Sequence, residues 1–158
     1  MLAALLVWRI EPYLHIYDVQ AGDRAPGFSL TTDSGQGISL SDYKGKWVLL
    51  NFWATWCPPC IQETPSLNRL QEEFRDKGLV VIGISEDDSQ QAYDAFLDRF
   101  GITFPTVRDT TKTTKIKYGT QLIPESYLIN PDGIVVRKYA GGEDFMRPEV
   151  LNYFRSLL

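Results

Sequence analysis

Two near-continuous apolar runs stand out in the hydrophobic pattern of the chain, at 47–52 and at 79–85. Runs of this length with few polar residues are typical of strands buried on both faces of a parallel sheet. The first run is followed by Leu67, Leu70 and Phe74, which repeat at the i, i+3, i+7 spacing of one helix face. The pattern therefore predicts a buried strand, a helix and a second buried strand.

Helix ends are marked by glycine and by capping residues. The first helix is predicted over 58–77, because Gly78 supplies a C-terminal stop. Pro65 lies inside it, where a proline removes one backbone hydrogen bond and is expected to kink the axis. The acidic stretch 86–89 predicts the start of a second helix that runs to Phe100. The order strand, helix, strand, helix implies right-handed crossovers and a parallel pair of central strands.

Antiparallel hairpins are predicted on either side of this core. Residues 28–30 and 38–40 alternate in polarity around a turn-rich stretch, and residues 126–130 and 134–139 flank the turn at 131–133. The remaining predicted elements are a short edge segment at 102–107, a short helix at 111–118 and a final helix at 148–158. The expected fold class is α/β, with a mixed sheet.

Length and composition are those of one globular domain. The 158 residues are 44% hydrophobic and 13% aromatic, which suits a single sizeable core. The formal net charge of −4 argues against a nucleic-acid partner, because phosphate binding needs a concentrated basic surface. We expect the domain to occupy 22–158, preceded by a separate segment at 1–21.

The segment at 1–21 begins with eight apolar residues that end at Arg9. A bilayer span needs roughly 20 apolar residues, so this run is too short to cross a membrane. It also lacks the basic start and small-residue cleavage site of a signal peptide. Three interpretations stay open: the tail of a truncated anchor, a helix that packs on the domain or a partner, and a cloning artefact.

The only two cysteines, Cys57 and Cys60, follow the first apolar run and begin the first helix. A disulfide between them would close a loop of about four residues, worth only roughly 2 kcal/mol of stability. The same spacing suits redox exchange, because a helix N-terminus favours the Cys57 thiolate and Cys60, one turn later, can attack a mixed disulfide. We expect Cys57 at an exposed helix start and Cys60 shielded one turn deeper.

Metal binding is the non-redox alternative for these cysteines. Two cysteines and the distant His15 fall short of a closed zinc site. Residue 61 is Ile, so the haem-attachment motif that requires histidine after the second cysteine is missing. We therefore expect no metal and no cofactor other than the redox-active disulfide.

Several motifs together resemble the thioredoxin family. They are Trp56-Cys57-Pro58-Pro59-Cys60, the helical Pro65, the Ile123-Pro124 pair just before a strand, and the Pro131-Asp132-Gly133 turn. Three further stretches, at 25–28, 51–57 and 84–86, are similar to the TlpA-like branch of exported, often membrane-anchored thiol-disulfide oxidoreductases, which includes cytochrome c maturation proteins. The resemblance covers 22–158. It implies a thioredoxin-like fold, with a central mixed β-sheet flanked by helices and an N-terminal β-hairpin.

The resemblance also implies a substrate-binding surface around the cysteines. Pro124 would be a cis-proline beside the dithiol, which leaves the backbone of Ile123 free to pair with an extended substrate segment. Trp56, adjacent to Cys57, would form part of an apolar docking surface. Pro58 and Pro59 complete this expected substrate-binding set.

The resemblance departs from thioredoxin at Asn51, where thioredoxin has a buried aspartate. An amide cannot carry a proton, and in the TlpA-like branch a glutamate after the next strand is associated with the active site. Glu86 matches that position, so we expect Glu86 to serve as the proton-transfer group of the dithiol. Glu125, which follows Pro124, is more similar to the cytochrome c maturation members than to thioredoxin.

The function implied is thiol-disulfide exchange with protein substrates, as a disulfide reductase of the cell envelope or periplasm supplied by an upstream thiol-disulfide donor. A cytoplasmic location is the alternative. A peroxiredoxin-like peroxidase is the nearest enzymatic rival, because residues 25–28 and 40–43 are also similar to that group. Its motif places Thr or Ser three residues before the cysteine, where this chain has Ala54. A non-enzymatic metal- or partner-binding module is the other alternative.

Overall fold

The computed structural model describes residues 18–158. The interpretations offered for the apolar start of the chain fall on residues 1–17 and lie outside the described residues. The strands are β1 (Ser29–Thr31), β2 (Gly37–Ser39), β3 (Trp47–Trp53), β4 (Leu79–Ser85), β5 (Thr106–Arg108), β6 (Glu125–Ile129) and β7 (Val135–Ala140). The helices are α1 (Pro58–Phe74), α2 (Gln90–Phe100), α3 (Thr113–Tyr118) and α4 (Pro148–Leu157), with short 3₁₀ turns at Leu40–Tyr43 and Arg75–Lys77.

The main sheet has five strands in the order β5-β4-β3-β6-β7. Strands β3, β4 and β5 are parallel, whereas β6 pairs antiparallel with both β3 and β7. Strands β1 and β2 form the separate N-terminal hairpin. The predicted fold class is confirmed: this is a central mixed sheet flanked by helices, with a hairpin at the N-terminal side.

Strand β3 lies at the centre because its side chains are buried on both faces. Val48, Leu50 and Phe52 join the apolar cluster beneath the N-terminal hairpin and α3. Leu49, on the opposite face, joins the cluster formed by α1 and α4, which contains Phe74. Strand β3 therefore runs through the middle of the core, and the chain passes from its end at Trp53 to the start of α1 at Pro58.

The described chain packs on the domain from its first residues. Val19 is buried, and its backbone N–H donates to the carbonyl of Tyr118. Asp18 forms an ion pair with Lys138 on β7. The division into 1–21 and 22–158 stays a prediction, but these contacts begin before Gly22. From residue 18 onward, no helix has both the length and the apolar character that crossing a membrane requires.

Several element boundaries differ from the predicted ones by a few residues, and two of these differences have a local reason. The edge strand begins at Thr106 and not at residue 102, because Pro105 has no N–H to donate to the ladder. Its carbonyl still accepts from Gly83 of β4. Helix α3 begins at Thr113 and not at residue 111, since Lys112 takes a positive φ that a helix cannot contain.

Candidate active site

The two cysteines lie where the central strand meets the first helix. Cys57 is the N-cap of α1, and Pro58 takes the first helical position, where a missing N–H has no cost. The two sulfurs form a disulfide, with the Cα atoms 5.2 Å apart. The backbone N–H of Cys60 points at Sγ of Cys57 over 3.3 Å. After reduction, this N–H and the helix N-terminus would stabilise a Cys57 thiolate.

The expectation of an exposed Cys57 is wrong for this oxidised form. Cys57 is 4% exposed and Cys60 is 1% exposed, so neither sulfur lies open on the surface. Cys57 packs in a cluster with Trp53 and with two aromatic residues of α2. Cys57 is at the helix start, as predicted, but its burial depends on packing against α2, which is distant in sequence.

A cavity of about 320 Å³ gives access to Cys57. It is lined by Trp56, Cys57, Pro58, Pro59, Glu86, Lys115, Gln121, Leu122 and Ile123. Trp56 is 64% exposed and Leu122 is 82% exposed, although both are large apolar side chains. The structure thus brings the expected Trp56, Pro58, Pro59 and Ile123 together around Cys57. Sequence analysis missed Leu122, which could have been found because it directly precedes the Ile123-Pro124 pair.

The predicted cis peptide bond between Ile123 and Pro124 is present. The carbonyl oxygen of Ile123 lies 3.6 Å from Sγ of Cys57. In the disulfide this sulfur carries no proton, so the approach is a van der Waals contact. The carbonyl of Pro124 accepts from the N–H of Gly141, which ties this segment to the loop after β7.

Glu86 lies at the end of β4 and lines the same cavity as Cys57. It is 5% exposed, and its carboxylate pairs with the ammonium of Lys115 at 3.0 and 3.1 Å. A buried carboxylate needs such a partner to remain charged. The structure therefore places Glu86 beside the dithiol as one half of an ion pair with α3.

A second buried acid, which sequence analysis missed, lies on α1. Glu63 is 4% exposed and follows Cys60 by three residues, on the same face of the helix. The side-chain amide of Asn51 donates to its carboxyl at 2.7 Å, and the backbone N–H of Glu143 donates at 3.1 Å. The amide of Asn51 on β3 thus holds a carboxyl supplied by the neighbouring helix.

Burial raises the pKa of Glu63 from its ordinary 4.5 to about 7. The hydrogen bonds from Glu143 and Asn51 oppose this shift, because they favour the charged carboxylate, but burial outweighs them. Glu63 also borders a cavity of about 290 Å³, lined in part by Gln62, Ser66 and Glu143. Glu63 therefore combines a pKa near neutrality with a place beside a cavity that Trp56 does not line.

Glu125 is a third buried acid near the cis-proline. It is 7% exposed, accepts a hydrogen bond from the hydroxyl of Tyr127 at 2.7 Å and pairs with Lys138 at 3.2 Å. Burial raises the pKa of Tyr127 to about 12, so the phenol remains a hydrogen-bond donor. Glu125 is thus a fixed, paired charge directly after Pro124.

Residues 18–158 contain no group of three or more His, Cys, Asp or Glu side chains placed to hold a metal ion. The arrangement supports the chemistry of the two sulfurs: a disulfide at the start of α1, a buried second cysteine, and the buried acids Glu86 and Glu63 near them.

Comparison with known proteins points to the same chemistry. The model of the AhpC/TSA family matches residues 21–138. The thiol-disulfide oxidoreductase ResA of Bacillus thuringiensis strain Al Hakam is 39% identical over 123 residues, which cover 78% of this chain and 71% of ResA. The thioredoxin-like protein YneN of Bacillus subtilis is 42% identical over 126 residues, covering 78% and 73% of the two chains. A crystal structure of a Chlorobium tepidum protein, provisionally named thiol:disulfide interchange protein DsbE, superposes with a TM-score of 0.81 at 30% identity and covers 88% of this chain and 98% of its own.

Proposed function

Since the chain belongs to the AhpC/TSA family of thioredoxin-like proteins, we propose that it is a thiol-disulfide oxidoreductase that reduces disulfides of other proteins in the cell envelope. The observation that carries this proposal is the Cys57–Cys60 disulfide at the start of α1, beside a cis-proline and below exposed apolar side chains. Cytochrome c maturation is the process we propose for it, as the TlpA-like motifs suggest.

The reaction begins with the reduced dithiol. The Cys57 thiolate attacks one sulfur of the substrate disulfide, the substrate S–S bond breaks, and its other sulfur leaves as a thiolate that takes up a proton. The Cys60 thiolate then attacks the Cys57 sulfur of the mixed disulfide and releases the second substrate thiol. The dithiol loses two electrons, the substrate gains them, and an upstream thiol-disulfide donor reduces Cys57–Cys60 again.

The second step requires that buried Cys60 lose its proton. We propose that Glu63 accepts this proton. It lies one helical turn after Cys60 on the same face of α1, and its pKa of about 7 suits proton transfer near neutral pH. The role expected of Glu86 stays a prediction. Its place in the Cys57 cavity supports a part in resolution of the mixed disulfide, because the Cys57 sulfur that Cys60 attacks lies beside that cavity.

Substrate binding in this proposal uses the cavity beside Cys57. An extended segment of a protein substrate would lay apolar side chains against Trp56 and Leu122 and place its disulfide over Cys57. Burial of these exposed apolar side chains against the substrate supplies binding free energy. We propose Trp56, Pro58, Pro59, Ile123 and Pro124 as the binding residues and add Leu122.

A peroxiredoxin-like peroxidase remains the second candidate because of the family model. The structure adds one observation against it: Ala54, three residues before Cys57, is fully buried and has no hydroxyl to hold a peroxide. One pair of assays separates the two activities. The reduced protein should catalyse the reduction of insulin disulfides and should not turn over hydrogen peroxide faster than a free thiol. Peroxide turnover without insulin reduction would overturn the proposal.

A further inference from the structure

The turn that presents Cys57 is held by a buried carboxylate from the neighbouring strand end. Asp87 is 2% exposed, and its carboxylate accepts from the backbone N–H of Thr55 at 3.0 and 3.3 Å and from the Thr55 hydroxyl at 2.6 Å. The hydroxyl of Ser85 also donates to it, at 2.6 Å. Thr55 lies two residues before Cys57, so these bonds fix the backbone that leads into the N-cap of α1.

The same turn is fixed at two further points. The N–H of Glu86 donates to the carbonyl of Trp53, and the N–H of Cys57 donates to the carbonyl of Ala54. Removal of the Asp87 carboxylate would leave the bonded groups of Thr55 and Ser85 without acceptors in a largely buried place. The Asp87 carboxylate therefore anchors the turn between β3 and α1.

Arg108, at the end of β5, holds the segment that carries Asp87. Its guanidinium donates to the backbone carbonyls of Asp87 at 3.3 Å and Asp88 at 3.1 Å. The other side of the guanidinium pairs with both carboxylate oxygens of Asp33, at 2.6 and 2.8 Å. Asp33 lies in the loop between β1 and β2, so the N-terminal hairpin reaches the dithiol through Arg108 and Asp87.

We propose that Asp87 is a positioning residue for the Cys57 thiolate, and that Arg108 and Asp33 support it from the N-terminal hairpin. This inference rests on the proposed function, because it assigns the hairpin a part in the same dithiol chemistry. Asp87 touches neither sulfur; it acts through Thr55.

The physical reason lies in the N-cap geometry of Cys57. A Cys57 thiolate is stabilised by the N–H of Cys60 and by the helix N-terminus only while the sulfur stays aligned with them. A loose turn would lose that alignment and raise the pKa of Cys57. The charged groups that line the Cys57 cavity are Glu86 and Lys115. A negative charge on Asp87 would act in the opposite direction to its anchoring of Thr55, because like charges nearby disfavour a thiolate.

Loss of the anchoring should raise the Cys57 pKa, whereas loss of the charge should lower it. Two variants of Asp87 separate these two effects. Asp87→Asn keeps an acceptor oxygen for Thr55 but removes the charge. We expect its Cys57 pKa to fall slightly and its thiolate to attack a small disulfide within about twofold of the parent rate. Asp87→Ala removes both, and we expect a raised Cys57 pKa and attack about tenfold slower or more, because small misplacements of a reacting group have large effects on rate.

The Cys57 pKa is measured by ultraviolet thiolate absorbance of the reduced protein, without any protein substrate. Arg108→Ala should change the pKa and the rate in the same direction as Asp87→Ala, but less. Arg155→Ala is the matched control, because it breaks an ion pair with Glu73 at 2.9 Å on the α4 side of the molecule. It should leave both quantities unchanged even if it lowers stability.

The positioning role would be overturned if Asp87→Ala and Asp87→Asn had the same Cys57 pKa and the same rate of attack. A parent-like Cys57 pKa in Asp87→Ala would also overturn it. So would an Arg155→Ala variant as impaired as Arg108→Ala. If Asp87→Ala does not fold, the comparison of Arg108→Ala with Arg155→Ala decides. A parent protein that fails to reduce insulin would refute the proposed function but would not alter these readings.

Discussion

Glu63 is a carboxyl group held within the core, on the helix that begins with the dithiol. The Asn51 amide and the Glu143 N–H bind its oxygens, and burial nevertheless raises its pKa to about 7. Near neutral pH it therefore exists in both protonation states. In the proposed mechanism, the buried Cys60 thiol requires a proton acceptor of this kind when it resolves the mixed disulfide.

The raised pKa of Glu63 makes a prediction about stability and pH. The unfolded chain binds this proton below about pH 4.5 and the folded chain below about pH 7, so the stability of the folded state falls as pH rises through this window. The loss amounts to roughly 3 kcal/mol and is complete above pH 7. In Glu63→Gln this loss should be absent.

Denaturant unfolding of the oxidised parent and of Glu63→Gln at several pH values checks this prediction. The difference between the free energies of unfolding of the two proteins should change by roughly 3 kcal/mol between about pH 4.5 and pH 7. Any pH-independent effect of the substitution on stability cancels in this comparison. A difference that does not vary with pH would mean that Glu63 is ionised at its ordinary pKa.

Glu86 makes a separate kinetic prediction. Glu86→Gln should slow resolution of the mixed disulfide and shift its pH profile, because the carboxylate faces the Cys57 cavity. Asp88→Asn, an exposed acid two residues further on that does not line this cavity, is the matched control. Stopped-flow exchange at a series of pH values measures both variants. If Glu86→Gln exchanges at the parent rate between about pH 5 and pH 9, Glu86 is only the partner of Lys115.

At the level of secondary-structure elements, the buried face of helix α1 is predictable from the sequence, but one of its main contacts is not. Leu67, Leu70 and Phe74 predict the buried face of the helix, and extension of the same spacing toward the N-terminus reaches Glu63 and Cys60. An acid within an apolar stripe was the signal for a functional carboxyl. Its partner Asn51 is on β3, and no local pattern predicts that these two side chains meet.

The strands, the hairpins and most helix ends were predictable because their causes are local. The predicted cap at 86–89 is realised by Ser89, whose hydroxyl accepts from the N–H of Ala92, and Gly119 ends α3 in the left-handed region. The positions of Leu122 and Asp87 relative to Cys57 were not predictable in this way. They depend on which strand ends lie side by side in the sheet.

The apolar surface beside Cys57 predicts a substrate-specific effect. Leu122→Ser should lower kcat/KM for reduction of a protein disulfide by about tenfold or more, because burial of a leucine contributes roughly 1.5–3 kcal/mol. The rate with a small soluble disulfide should not change, since such a molecule covers little of the surface. Trp56→Ala should behave in the same way.

Ile116→Ser is the control for this comparison, because Ile116 is also 64% exposed and apolar but does not line the cavity. It should reduce protein and small disulfides at the parent rates. Equal losses for Leu122→Ser and Ile116→Ser would show that general surface hydrophobicity, and not this docking surface, governs the reaction.

At the scale of the whole molecule, the fold gathers its reactive groups at one end of the central strand. Cys57 follows the end of β3, the ends of β4 and β5 contribute Asp87 and Arg108, and the cis-proline enters β6 alongside. In a parallel arrangement these strand ends meet at the same edge, where ligands and substrates bind in open α/β sheets. The N-terminal hairpin joins this edge through Asp33.

The central claim is that Cys57 exchanges disulfides with a protein substrate and that Cys60 resolves the intermediate. The most direct test is to react the reduced Cys60→Ser and Cys57→Ser variants with a protein disulfide and to identify covalent adducts by mass spectrometry. We expect a stable mixed disulfide through Cys57 in Cys60→Ser, reversed by a reducing agent, and little adduct in Cys57→Ser. An adduct that accumulates on Cys60 in Cys57→Ser while Cys60→Ser traps nothing would contradict it.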